Sequence, residues 1–352
     1  MRVVVAMSGG VDSSVVAGLM ARAGHEVIGV TLQLYDHGAA VGRKGACCAG
    51  SDIHDAKRVA DRLGIAHYVV DAETRFRDSV MSAFADSYAN GQTPVPCIAC
   101  NQHLKFGDLL SMARDLGAEA LATGHYVRRI EGASGAELHK AVDENRDQSW
   151  FLFATTREQL EFCRFPLGDF GAKAQVRALA ADMGLVVADK PDSQDICFVP
   201  TGSYADIVQK FRPDAMEAGE IVAEDGAVLG VHRGIARYTV GQTKRLGNVA
   251  QRAGESQVVK KIDSATRRIV IGPRGVESRE IRLRDVNWLI DPPAAGLRAG
   301  AKLRARDSLH PACVSADGTG AVITLDEPAL AAPGQAAVFY DGSRILGGGF
   351  IV

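Results

Sequence analysis

The string Ser8-Gly9-Gly10-Val11-Asp12-Ser13-Ser14 constrains this chain more than any other stretch. It follows a short run rich in β-branched valine, Arg2 to Ala6, and precedes an apolar-rich segment, Val15 to Ala23, that stops at Gly24. That pattern predicts a strand, a tight loop and a helix. Gly9 and Gly10 allow positive φ and bring amide N–H groups close to a ligand, while Ser13 and Ser14 can cap the helix and donate hydroxyl hydrogen bonds. Amides at a helix N-terminus favour an anion such as phosphate. The loop lacks the GxxxxGK[ST] pattern, so it carries no lysine to reach a terminal phosphate. Asp12 reads as a residue that positions Mg²⁺ or phosphate, because a carboxylate beside polyphosphate needs a cation between the two. As a first-turn acid it also complements the helix dipole.

The apolar runs that follow extend this start into a layered domain. Glu26 to Leu34 reads as a second buried strand, Ser51 to Leu63 as a helix ended by Gly64, and Ala66 to Val70 as a third strand. A βαβαβ run of this kind predicts a doubly wound parallel sheet with its ligand at the C-terminal strand ends, near the topological switch point. The SGGVDSS loop sits at such an end, and Leu32, at the exit of the second strand, is placed to flank a base. Between these elements Asp36 to Gly50 is glycine-rich and carries Cys47-Cys48, read as a mobile loop near the site or as two incidental small apolar residues.

The 352 residues suffice for two or three domains, and 47% hydrophobic with 23% charged residues describes an ordinary globular protein. No run of about 18 apolar residues is present to span a bilayer, so a cytoplasmic location is expected. A formal net charge of −2 excludes a chain that is basic throughout, so a nucleic-acid partner must be held by local patches. Seven cysteines without an export signal argue for reduced thiols rather than a disulfide scaffold.

After a helix from Thr74 to about Ala89 comes Thr93-Pro94-Val95-Pro96-Cys97-Ile98-Ala99-Cys100-Asn101, then a helix through Lys105, Phe106, Leu109, Leu110, Met112 and Leu116. The prolines hold the backbone extended, and the positive end of the following helix faces Cys100. Such a location brings a thiol from about 8.5 into the range of roughly 3.5–7.5. CxxC also serves as half a zinc site or as a redox pair, but no second ligand pair stands elsewhere, and no metal is firmly assigned.

Ala120 to Tyr126 is a strand ending in Gly124-His125, where Gly124 permits close approach of a nucleotide and His125 can contact a phosphate or base. Tyr126 to Ile130 and Leu138 to Val142 form a hairpin around Glu131 to Ala136. Asp147-Gln148-Ser149 open an aromatic helix whose Trp150 and Phe151 read as core. Lys173 to Met183 is helical, and a polar segment then leads to Cys197. From Gly219 onward short apolar stretches separated by Gly, Pro and Asp turns predict a small linker domain followed by a barrel. Residues 256–306 carry twelve Lys/Arg against five Asp/Glu, a local surplus that makes tRNA or another polyanion a candidate partner.

Taken in order, SGGVDSS, TPVPCIACNQHLKFG, ATGHY, DQSWFL, DSQDICF, GIARYTVGQTKRLG and PGQAAVFYDGSRILGGG resemble the bacterial tRNA-specific 2-thiouridylase family, within the ATP pyrophosphatases. The resemblance implies an α/β fold in three parts. An adenine-nucleotide α-hydrolase-like domain covers 1–200, a small central β-rich domain 201–278 and a C-terminal β-barrel 279–352. It implies ATP-dependent replacement of the 2-oxygen of the wobble uridine, position 34, by sulfur, with AMP and pyrophosphate released. ATP and Mg²⁺ are the implied cofactors. The implied partners are tRNA of the Lys, Glu and Gln type and a persulfide-carrying donor protein.

Carried over residue by residue, Ala6, Met7, Ser8, Gly9, Gly10, Val11, Asp12, Ser13, Leu32 and Gly124 hold ATP. Val95, Pro96 and Cys97 form the loop at the target base. Cys197 carries the persulfide, and Cys100 is the second thiol, either freeing sulfide or resolving the adduct afterwards. His125, Asp147, Gln148, Ser149 and Gln335 face tRNA. Two departures stand out: many family members have Asp where this chain has Cys97, and Arg304-Ala305 lacks the aromatic expected after the arginine. Cysteine replaces an acid imperfectly, its reference pKa being about 8.5 against about 3.9 for Asp.

Overall fold

The computed structural model describes residues 1–34, 48–192, 196–199, 204–244, 246, 257–273, 275, 277–293 and 295–352. Cys47 and most of the glycine-rich stretch lie outside these residues, as does the middle of the DSQDICF motif. The chain divides into two compact units, one of 1–79, 97–194 and 342–345, the other of 80–96, 195–341 and 346–352.

In the first unit β1 (Arg2–Ala6), α1 (Val11–Arg22), β2 (Glu26–Gln33), α2 (Cys48–Leu63) and β3 (Ala66–Asp71) follow one another as the apolar runs predict. With β4 (Ala120–Ala122) and β7 (Cys163–Arg164) they make a parallel sheet of order β3-β2-β1-β4-β7. Val3, Val4 and Val5 are wholly buried between helix layers, as strands covered on both faces must be. Val15, Val16 and Ala17 of α1 pack with Val176 and Ala180 of α3 (Lys173–Asp182) on the sheet. The order reverses between β1 and β4, so the switch point lies where the SGGVDSS loop begins.

Three expectations shift. The strand at Ala120 ends at Ala122, leaving Thr123 to Tyr126 as irregular backbone at the sheet edge of the site. The hairpin of β5 (Val127–Gly132) and β6 (Gly135–Lys140) turns over two residues rather than six, with Val127 opposite Lys140. The cysteine helix starts earlier than its apolar spacing suggests. Pro96–Ala99 runs on through a π-helical stretch, Cys100–Leu109, to Leu110–Asp115. Pro96 opens it because a proline lacks only an N–H that the first turn leaves unpaired. Trp150 lies in a short 3₁₀ turn, Ser149–Leu152, and is 2% exposed.

The second unit contains a four-stranded sheet and a barrel. The strands β8 (Ala218–Ala223), β9 (Val228–Arg233), β10 (Gln257–Asp263) and β11 (Arg268–Pro273) pair in the order β10-β11-β8-β9. The six-stranded barrel takes β12 (Glu277–Trp288), β13 (Leu297–Lys302), β14 (His310–Asp317), β15 (Gly320–Leu330), β16 (Ala336–Asp341) and β17 (Arg344–Ile351), and closes through β12 on β17. Ile281, Leu283, Val314, Ile323 and Phe339 fill its interior, and Trp288 packs on Phe339 with ring centroids 5.4 Å apart. The barrel of the expectation is therefore present. Much of the basic surplus counted over 256–306 is paired with acids from outside that window. Arg267 pairs with Glu217, Arg268 with Glu220, Arg279 with Glu327 and Arg298 with Asp326. A charge count over a window of sequence misses partners that the strands bring in from elsewhere.

Candidate active site

The loop between β1 and α1 turns on Gly9, whose φ is +75°. A Cβ at this position would run into the backbone carbonyl of Asp52, so the glycine is required for both conformation and space. Ser8 N donates to Ser13 Oγ at 3.1 Å, and Ser14 Oγ donates to Gly10 O at 2.8 Å. The serines thus bond backwards instead of capping, because they sit three and four residues past the N-cap, which is Gly10. That leaves the N–H groups of the first turn of α1, which have no intrahelical acceptor, as an anion cradle.

Around the cradle the structure places two cations that its own motif does not contain. Lys173 Nζ reaches Asp12 Oδ1 at 2.6 Å and Oδ2 at 2.7 Å, and Asp192 Oδ1 at 2.9 Å. Lys190 Nζ donates to Gly9 O at 2.9 Å and to Asp52 and Asp55, each at 2.7 Å. Asp12 also accepts from Tyr126 Oη at 2.7 Å, and Asp192 from Arg146 at 2.5 Å. Partial burial pushes the Asp192 carboxyl up, but hydrogen bonds from Lys173 and Arg146 outweigh it and hold the group below its usual range. Burial, then the bond to Asp12, pushes the Tyr126 phenol far up, so it remains a donor. The sequence held one signal for Lys173: a cation in the first turn of a helix opposes the dipole and needs an acid nearby. For Lys190 no such signal exists.

Gly124, two residues past β4, lies against α1, where a Cβ would come within 3.0 Å of Ser13 N. The next residue, His125, connects this edge to the cysteine helix. Its Nε2 is 3.5 Å from Lys105 Nζ and its Nδ1 is 2.8 Å from Thr123 Oγ1. Lysine only donates, which assigns the ring proton to Nδ1. Burial, with the Lys105 charge added, holds the imidazole neutral far below its ordinary pKa.

Cys100 sits in the second turn of its helix and is 8% exposed, while Cys97 in the first turn is exposed. The expectation of a depressed Cys100 pKa is overturned: loss of solvent raises it, and Lys105 only partly offsets that. Helix position counted for less than burial. The protein packed around Cys97 raises its thiol likewise, again against the pull of Lys105. Asn101 donates to Phe151 O at 3.3 Å, and its buried Oδ1 has no partner among the described residues.

The other predicted residues take defined places. Ala6 and Leu32 are half-buried at the ends of β1 and β2, while Met7 and Val11 are buried. Asp147 accepts from Ala141 N, Ser149 N and Ser149 Oγ, and Gln148 Oε1 accepts from Tyr126 N at 2.9 Å. Ser149 is fully buried. Val95 and Pro96 lead into the cysteine helix, and Cys197 is exposed in a turn of the second unit. Among the described residues no group of three or more His, Cys, Asp or Glu is arranged to hold a metal ion. No helix of these residues is long and apolar enough to cross a membrane.

Family profiles match almost the whole chain: a tRNA methyl transferase HUP domain over 1–201, a tRNA methyl transferase PRC-barrel domain over 205–273 and an aminomethyltransferase β-barrel domain over 278–351. The tRNA-specific 2-thiouridylase of Acidiphilium cryptum is 71% identical over 352 residues, covering all of both chains. That of Gluconobacter oxydans is 64% identical, covering all of this chain and 99% of its own. The Rhodospirillum centenum protein of the same name is 58% identical over all of this chain and 91% of its own. Identity at this level along the full length of both partners means that the chain belongs to the tRNA-specific 2-thiouridylase family.

Proposed function

We propose that this chain uses ATP to exchange the 2-oxygen of uridine 34 in tRNA of the Lys, Glu and Gln type for sulfur, with domains divided at 1–200, 201–278 and 279–352. The observation that carries the reading is the glycine-built anion cradle with Lys173 and Lys190 beside it, in the same unit as Cys100. The cradle takes the ATP phosphates through the amides of Gly9 to Ser13, while Gly124 leaves room for the nucleotide and Leu32 flanks its base. Uridine O2 attacks the α-phosphorus, the bond to the β-phosphate oxygen breaks, and the two ammonium groups balance the charge of the departing pyrophosphate. Anion stabilisation of this kind in a preorganised site is worth several kcal/mol, on the order of 10²–10³ in rate per donor.

Mg²⁺ fits this donor set as an ion carried mainly by the polyphosphate, with Asp12 as its protein carboxylate, since Mg²⁺ takes one or two carboxylates plus phosphate oxygens and water. When bound it neutralises phosphate charge. Lys173 already compensates Asp12 without it.

Adenylation turns O2 into a good leaving group. A persulfide on Cys197, loaded by a donor protein, supplies the sulfur. Either Cys100 attacks the Cys197 sulfur and frees sulfide, which adds at C2, or the terminal sulfur adds at C2 and Cys100 then breaks the S–S bond. AMP departs in both routes, and both end in a Cys100–Cys197 disulfide that a dithiol must reduce. Burial keeps Cys100 as a thiol between turnovers, and Lys105 stabilises the thiolate when it forms. Val95, Pro96 and Cys97 border the base, and His125, Asp147 and Gln148 stand toward tRNA in this reading, with buried Ser149 holding Asp147 by its hydroxyl.

Incubation with ATP, a persulfide donor and unmodified tRNA yields 2-thiouridine, detected by mass spectrometry of digested tRNA. Full activity of Cys197→Ser in that assay would refute the chemistry. Release of pyrophosphate at full rate without tRNA would point to a small-molecule acceptor instead.

A further inference from the structure

Between Ala89 and the cysteine helix the chain passes through Asn90-Gly91-Gln92-Thr93-Pro94-Val95. Pro94 in this segment and Pro96, which opens the helix, have no N–H, so fewer backbone donors are available to fix it. Thr93 uses both of its own. Its N–H donates to Pro333 O at 2.8 Å, and its carbonyl accepts from Gln335 Nε2 at 2.9 Å. The barrel side of this contact is itself fixed: Gly334 N donates to Ile351 O at 2.9 Å, and Ile351 N donates to Gln335 O at 2.8 Å. Gly334 has φ +85°, and a Cβ there would stand 2.8 Å from Gln92 Cβ and 2.9 Å from Thr93 N. Two residues earlier Gly91, φ +71°, meets β10, where a Cβ would come within 2.9 Å of Ile262.

We propose that Gln335 is a positioning residue, which with Gly334 clamps Thr93 to the barrel and so fixes the Val95-Pro96-Cys97 loop for the reaction. The barrel thereby acts on catalysis through the protein backbone and not only through tRNA. This rests on the functional reading above. Without the amide, Thr93 O loses its side-chain partner, and Pro94 and Pro96 offer no N–H with which to anchor the chain in its place. A contact to tRNA alone would instead make Gln335 a binding residue.

The two roles separate in measurement. Gln335→Leu keeps the size and removes the donor; Gly334→Ala inserts a Cβ against Thr93. Positioning predicts that both variants bind tRNA within about twofold of wild type while the single-turnover thiolation rate at saturating tRNA falls about tenfold, the order expected for one lost hydrogen bond. Hydrogen–deuterium exchange of the free protein, without tRNA or ATP, is expected to quicken in the peptide from Thr93 to Asn101. That readout stands whether or not the thiolation chemistry holds. Should Gln335→Leu weaken tRNA binding while leaving the saturating rate and the exchange unchanged, the positioning role is overturned.

Discussion

Lys173 Nζ stands between two carboxylates, bonding both oxygens of Asp12 at 2.6 and 2.7 Å and Asp192 Oδ1 at 2.9 Å. One buried ammonium thus joins the first helix of the phosphate cradle to the segment that leads toward Cys197. Lys173→Met would take the ammonium away from Asp12, which keeps only the neutral Tyr126 donor described above, while Asp192 retains Arg146 and Arg177. Because Asp12 and Asp192 retain some solvent, the expected loss is about 2–3 kcal/mol, below the roughly 3–5 kcal/mol of a fully buried pair. Pyrophosphate release with tRNA is expected to fall about a hundredfold, the loss typical of one charge-stabilising donor. Chemical denaturation and a pyrophosphate assay read the two effects separately.

The two loop glycines are expected to respond differently. Gly9→Ala combines positive φ with a collision at Asp52 O, which costs about 1–3 kcal/mol in strain and displaces the cradle. Gly10 has φ −92°, and a Cβ there would meet nothing closer than Ser8 Oγ at 3.5 Å. Gly10→Ala should therefore keep wild-type stability. Thermal unfolding and ATP titration of the two variants check the contrast; equal behaviour would mean that the loop is not built as described.

Alkylation of Cys100 is expected to follow a pH profile displaced above that of an ordinary thiol. Burial raises its pKa, so at neutral pH the thiolate fraction is smaller than for an exposed cysteine. Lys105→Gln removes the one compensating charge and should move the profile further up. Iodoacetamide labelling read peptide by peptide, in a Cys97→Ser background, gives the measurement. A profile below that of free cysteine would contradict this.

Asp192 links stability to acid. Its folded pKa is depressed, so its contribution is present above the unfolded value of 3.8 and disappears as pH falls through the folded one. The stability gap between wild type and Asp192→Asn should be widest above pH 5 and should close on acidification below 3.8. Urea unfolding at a series of pH values tests it; a gap that widens in acid reverses the sign.

The parallel half of the fold was readable because β1 and most of β2 are buried, valine-rich runs and the helices between the strands stop at Gly24 and Gly64. The barrel was readable only in part. β12 alternates charged residues with Ile281 and Leu283, and so many arginines on its outer face hide the strand from a search for apolar runs. In the site, the loop glycines and Cys100 stood out by residue type and spacing, whereas Cys197 was singled out only by the family resemblance. Lys173, Lys190 and the clamp on Thr93 were not, since their partners are 100 or more residues distant in sequence. The Cys100 environment was misread for a related reason: helix position is a local property, whereas burial depends on the whole fold.

The chain has two tryptophans, Trp150 in the core of the first unit and Trp288 against Phe339 in the barrel of the second. Each unit therefore carries its own built-in fluorophore. Replacing either indole by phenylalanine leaves emission from one unit alone, so the melting of the nucleotide half and of the barrel half can be followed separately without any label.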